Sequence, residues 1–180
     1  TSLYNGNDFL TVAKTNGVNS EFHEIIEYGI LSSQTNPFDP MEKAIGIACM
    51  EIASVNILEH KLVREYPLSK ILLAMTRVLE TGSPGSLTAH CKGAPEAVFS
   101  LCKLNQEETG KYMSVVQEMA ERGFRVIGVA IATTKPESIP ELQTGFDFKF
   151  IGLIGLADPV RPEVPQAIKQ SLEGVEHIAK

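Results

Sequence analysis

The run Ala89-His90-Cys91-Lys92-Gly93-Ala94-Pro95-Glu96-Ala97-Val98-Phe99 joins the end of an alternating strand to the start of a helix, with a lysine at the junction. Upstream, Leu87 and Ala89 fall on one face of the strand by its period of two. Pro95 suits a first helical position, where its missing N–H leaves nothing unbonded, and Glu96 in the first turn meets the positive end of the helix dipole. Gly93 and Ala94 carry too little side chain to keep a flat ligand off the backbone. A lysine over such residues is a grip for an anionic or nucleotide-like ligand. The same residues also read, and more commonly, as a surface lysine before a capped helix.

Working outward, the chain of 180 residues is long enough for one domain with a real core and too short for a multi-domain machine. Nowhere does it hold the roughly 18 charge-poor apolar residues that a membrane helix needs, residues 150–157 coming nearest. Its start lacks the basic-then-apolar pattern of a secretory leader. The formal net charge of −6 argues against general nucleic-acid binding, which rewards basic surfaces. Cys49, Cys91 and Cys102 are odd in number and lack C-x-x-C spacing, so neither a disulfide framework nor a zinc site is expected. His23, His60, His90 and His177 form no local ligand pair and read as structural or solvated.

Along the chain, Asp8 to Val12 reads as a short strand between Asn/Gly turns. Ser20 caps a helix whose Phe22, Ile25, Ile26, Gly29 and Ile30 recur at core spacing. Asp39 and Pro40 open another helix, with Glu42 in its first turn. Lys61 to Leu68 and Ile71 to Leu79 read as two strands around a polar corner, Ser69-Lys70, with Leu72 and Leu73 as core. Residues 80–86 make a turn rich in Gly, Ser and Pro. A helix over Gln106 to Arg122 presents Tyr112, Met113, Val116, Met119 and Ala120 as its core stripe and ends at Gly123. Arg125 opens the apolar strand that follows, where a phosphate contact and an edge salt bridge are even alternatives. Lys135 to Gln143 is a surface excursion, and Phe146 to Ala157 alternates into an increasingly buried strand.

Four stretches, in order, resemble the nucleotide-binding domain of P-type cation-transporting ATPases, the class of the calcium and sodium/potassium pumps. Lys92-Gly93-Ala94-Pro95-Glu96 looks like that family's KGAPE signature. Asp39-Pro40-Met41-Glu42-Lys43-Ala44-Ile45 resembles its Asp-Pro-x-Glu-x-Ala-Leu motif, whose Glu binds the adenine amino group. Gly123 to Ala130 is similar to its Gly-x-Arg-Val-Leu-Ala-x-Ala strand, and Asp158-Pro159-Val160-Arg161 to its Asp-Pro-Pro-Arg hinge. The segment Tyr66-Pro67-Leu68-Ser69-Lys70 through Met75 departs from the pattern: Leu68 stands where a phenylalanine stacks on adenine, and Leu73 where a lysine stands. Leucine keeps only the apolar part of a stack worth roughly 1–3 kcal/mol, so tighter binding than in a typical relative is not expected. Tyr66 and Phe124 are alternative rings for the base, and Lys70 falls where some relatives carry an arginine.

The resemblance implies an α/β (α+β) domain, a mostly antiparallel twisted sheet flanked by helical pairs. It divides the chain into a nucleotide-binding domain over residues 1–157 and a hinge with the start of a phosphorylation domain over 158–180. It implies ATP as ligand, with Glu42, Leu68, Lys70, Lys92, Gly93, Ala94 and Arg125 as the binding residues and Asp158 and Arg161 as the hinge. The Asp-Lys-Thr-Gly-Thr and Thr-Gly-Asp motifs of the family are not in the sequence, nor is a phosphate loop, so no catalytic residue is expected, and magnesium is expected in the parent pump rather than on this chain. The implied partners are the phosphorylation and actuator domains of a cytoplasmic assembly on an integral membrane protein, calcium-pump-like, with no nucleic acid and no direct membrane contact. Two other readings stand beside it: a degenerate module of the same fold that binds a protein, and a free-standing phosphatase, for which the required Asp-x-Asp does not occur.

Overall fold

A computed structural model describes residues 1–11, 20–34, 43, 45–47, 60–80 and 85–157. Glu42, Asp158, Arg161 and Cys49 lie outside the described residues, as does the proposed hinge; of the helix expected from Asp39, residues 43 and 45–47 are described and helical, with Ile45 buried against α1. The strands are β1 Ser2–Tyr4, β2 Phe9–Thr11, β3 Lys61–Tyr66, β4 Ala74–Glu80, β5 Leu87–Gly93, β6 Phe124–Thr134 and β7 Lys149–Ala157. They form one sheet in the order β2-β1-β7-β6-β5-β4-β3, and every neighbouring pair is antiparallel. The helices are α1 Ser20–Leu31, α2 Pro95–Leu101 and α3 Gln106–Glu121. This is the mixed α/β, antiparallel architecture expected from the sequence.

Register fixes which side chains share a face, because successive residues of a strand point to opposite sides. Opposite one another on β4, β5 and β6 stand Met75, Lys92 and Val129, and then Arg77, His90 and Ile131. The helix α1 covers this side: Phe22, Ile25, Ile26 and Ile30 pack with Leu3, Ile127, Val129, Ile154 and Leu156. On the reverse side Ala74, Val78, Ala89, Cys91 and Ala130 pack with Val98 and Leu101 of α2, while Met119 of α3 meets Tyr4, Phe99 and Leu153. Between them the two layers give the sheet a core on both faces.

Local chemistry accounts for the helix ends. Asn105 accepts from the Glu108 N–H at 2.9 Å, and the Glu108 carboxylate accepts from the Asn105 N–H at 3.0 Å, a reciprocal capping box. At the other end Gly123 takes φ +80°, the left-handed turn that lets α3 stop and β6 begin. Several expectations are corrected. β1 escapes a sequence reading because Ser2-Leu3-Tyr4 is too short to show a period. The β3–β4 corner is wider than two residues, and Leu73 is 52% exposed rather than core. Ala120 is also exposed, so the buried stripe of α3 narrows to Met119 with half-buried Tyr112, Met113 and Val116. Phe146 and Phe148 are buried as expected, but they precede β7 rather than belong to it.

Candidate functional site

Lys92 is the next-to-last residue of β5, and its side chain is 6% exposed, which removes the surface-lysine reading. A buried ammonium is costly unless it has hydrogen-bond partners. Here Nζ donates to the Ser33 hydroxyl at 2.5 Å, just past the last turn of α1. The Ser33 hydroxyl in turn donates to the Gly29 carbonyl at 3.0 Å, and the Ser33 N–H closes on the Ile30 carbonyl at 2.9 Å. The lysine therefore sits at the negative end of the α1 dipole, where a cation is favoured. Arg77, one strand over and also buried, donates Nη1 to the Ser33 carbonyl, while its Nε faces Glu65 Oε2 at 3.3 Å. Two buried cations thus converge on one serine. Neither Ser33 nor Arg77 stands out in the sequence, although an arginine inside the apolar run Ala74 to Leu79 was a usable signal.

Gly93 and Ala94 turn the chain from β5 into α2, but the structure changes why they are small. A Cβ on Gly93 would lie 2.3 Å from the Leu73 carbonyl oxygen and 2.5 Å from the Ala74 Cα. The Ala94 N–H donates to that same Leu73 carbonyl at 2.8 Å. The glycine is thus required by the adjoining strand, whatever approaches from outside. That contact also ties the β3–β4 loop to the lysine, and the loop carries Leu68, Ile71 and Leu73 at 60%, 99% and 52% exposure. Lys70 is exposed on the same loop.

Arg125 stands on the same sheet face as Lys92: it pairs with Leu156, as Ile127 pairs with Ile154, on the side covered by α1. Four residues separate it from Val129, the partner of Lys92, so the two cations are about 13 Å apart along the strand direction. β5 ends opposite Gly128, so residues 124–127 of β6 pair with β7 alone. Arg125 is exposed and makes no ion pair among the described residues, leaving the edge-salt-bridge alternative without support.

The alternative rings fail on geometry. Tyr66 pairs with Thr76, so it lies on the reverse face, packed edge-on to Phe146 with its hydroxyl on the Pro140 carbonyl. Phe124 packs with Met119 and Tyr4 on that reverse face too. A ring that does stand on the lysine's side is Tyr28 of α1, whose centroid is 5.2 Å from that of His90.

His90 is 2% exposed; its Nε2 lies 2.9 Å from the Thr88 hydroxyl and its Nδ1 meets no partner among the described residues. Burial, reinforced by the charges of His60 and Arg77, pushes its pKa down to about 3. Burial likewise raises the Cys91 thiol to about 11 and the Cys102 thiol to about 12, so neither is a thiolate nucleophile near neutrality. Among the described residues no group of three His, Cys, Asp or Glu side chains could hold a metal ion, and no helix is long and apolar enough to cross a membrane.

The fold and this site together define a mixed α/β domain with buried and exposed cations along one sheet face, beside an apolar loop. The chain belongs to the P-type ATPases: the family description "P-type ATPase, cytoplasmic domain N" matches residues 36–163. A putative cation-transporting ATPase of Methanocaldococcus jannaschii is 23% identical over 158 residues, 88% of this chain and 18% of that protein. Calcium-transporting ATPase 1 of Saccharomyces cerevisiae is 33% identical over 130 residues, 64% of this chain and 14% of the yeast protein. A human polyamine-transporting ATPase, 13A3, is 28% identical over 115 residues, 60% of this chain and 9% of its own length. The chain thus spans under a fifth of the curated relatives it matches.

Proposed function

We propose that this chain holds ATP by its adenosine, so that the terminal phosphate projects toward an aspartate of a separate phosphorylation domain in a cation pump. The observation that carries the reading is Lys92, a lysine nearly buried at the end of a strand, beside a loop of exposed leucines and on one face with Arg125. In this reading Glu42 selects the adenine amino group and Leu68 packs on the base. Lys92, Gly93 and Ala94 form the wall of the slot, and Arg125 with Lys70 steadies ribose or phosphates. Asp158 and Arg161 form the hinge to the phosphorylation domain, which with the actuator domain supplies the remaining partners. Magnesium belongs to the parent pump.

Phosphoryl transfer depends on positioning and charge neutralisation more than on covalent help from side chains, so a holding domain with no nucleophile of its own is a sufficient contribution. Lys92→Ala is expected to weaken ATP binding about tenfold, the loss of one charge-assisted hydrogen bond, in calorimetric titrations of a variant whose circular dichroism is unchanged. Equal affinity in the two proteins would remove Lys92 from the site.

A second reading has one observation in its favour: Ile71 is 99% exposed between Leu68 and Leu73, a surface that suits a protein partner. Under that reading the loop, not the lysine, governs binding, and Lys92→Ala leaves the wild-type chain's lack of ATP affinity unaltered.

A further inference from the structure

We propose that Gln143 is a positioning residue for Leu68: its side chain ends the β3–β4 ladder and keeps Leu68 turned out of the sheet for the base, an inference that rests on the nucleotide reading above. The Leu73 carbonyl points to β5, where the Ala94 N–H binds it, so the next carbonyl along, that of Ala74, points to the β3 side. There the ladder runs through Glu65 opposite Arg77 and Tyr66 opposite Thr76, and then stops. Carried on in the same register, it would set Leu68 opposite Ala74, with the Leu68 N–H on that carbonyl. The Leu68 side chain would then lie on the reverse face with those of Tyr66 and Ala74, away from Lys92. Gln143 takes the place instead. Its buried amide donates Nε2 to the Ala74 carbonyl at 3.0 Å, and its Oε1 accepts from the Thr76 hydroxyl at 2.8 Å. Pro67 does not account for the stop, because it would fall opposite Met75, whose backbone groups face β5 and need no donor from β3. The segment before Gln143 is itself tied to β3: the Tyr66 hydroxyl donates to the Pro140 carbonyl, and Arg64 Nη2 to the Glu141 carbonyl at 3.2 Å. With the ladder ended, the chain folds back through the Ser69 N–H, 3.2 Å from the Leu72 carbonyl, and Leu68 stays exposed.

Amide hydrogen exchange in Gln143→Met tests this, because methionine keeps the bulk of the side chain and removes its amide. In the wild-type chain the Leu68 amide is expected to exchange quickly, as a group on an exposed loop does. In Gln143→Met the freed Ala74 carbonyl is expected to take the Leu68 N–H and slow its exchange about tenfold or more. ATP binding is expected to weaken about threefold to tenfold as Leu68 leaves the base. A merely structural glutamine gives the opposite sign: its loss would speed exchange along β3 and β4 and leave Leu68 fast. If the methionine variant does not fold, Gln143→Glu, which keeps the acceptor for Thr76 and loses the donor to Ala74, carries the same comparison. Fast exchange at Leu68 in a folded variant, or unchanged ATP affinity there, overturns this inference alone. A wild-type chain that takes up no ATP overturns the nucleotide reading and this inference with it.

Discussion

Gly93→Ala should cost about 3 kcal/mol of folding stability and lower the melting temperature by about 6–12 °C, the conversion expected for a chain of this size. The new methyl meets backbone on the neighbouring strand, the Leu73 carbonyl at 2.3 Å and the Ala74 Cα at 2.5 Å, and no side-chain rotation relieves that. Either β4 moves away, breaking the 2.8 Å bond from the Ala94 N–H to Leu73, or the turn into α2 deforms. Both movements carry Lys92 with them, so ATP affinity should fall in the part of the sample that remains folded. Thermal unfolding followed by circular dichroism measures the first effect. A melting temperature within a degree of the parent chain would mean that β4 does not lie against Gly93.

Acidification from pH 7 to 5 should remove about 2 kcal/mol of stability through His90 alone, because one proton of differential binding is worth about 1.36 kcal/mol per pH unit. The sign follows from the depressed pKa. In the unfolded chain the imidazole takes its proton near its ordinary value of 6.5, whereas in the fold it stays neutral until about 3. Between those values the unfolded state binds more protons, so the stability that neutral His90 confers is present above pH 6.5 and is lost as pH falls toward 3. The cause is first burial, then the neighbouring charges of His60 and Arg77. Urea unfolding at the two pH values, with His90→Gln as control, isolates the contribution. Equal pH dependence in both proteins would place a charged or solvated imidazole at position 90.

Where the chain repeats itself, the sequence was readable. The α1 stripe of Phe22, Ile25, Ile26 and Ile30 is buried as its spacing requires, and the strand-to-helix junction at Lys92 falls where Pro95 and the alternating run before it put it. The left-handed Gly123 that ends α3 is likewise a local rule and holds, whereas the capping box at Asn105, equally local, was not read from the sequence. What escaped depends on residues far apart in the chain. Ser33 is 59 positions from Lys92 and 44 from Arg77, so no window of sequence brings them together. Tyr66 seemed available as a ring near the base, yet cross-strand pairing with Thr76 turns it to the other face, and only register decides that. The same holds for Gly93, whose small size reads as access for a ligand until the neighbouring strand is seen to occupy the space.

The central claim is that Lys92 and Arg125 both contact the nucleotide, from either side of Ile127 and Val129, which α1 buries on that sheet face. Titrating the isotopically labelled chain with ATP, without magnesium, and following backbone amide shifts tests it most directly. The account predicts saturable shifts at Lys92, Gly93 and Arg125, with the reverse-face residues Cys91 and Ala130 moving far less. Shifts absent from Lys92 and Arg125, or centred on the face covered by α2 and α3, would contradict it.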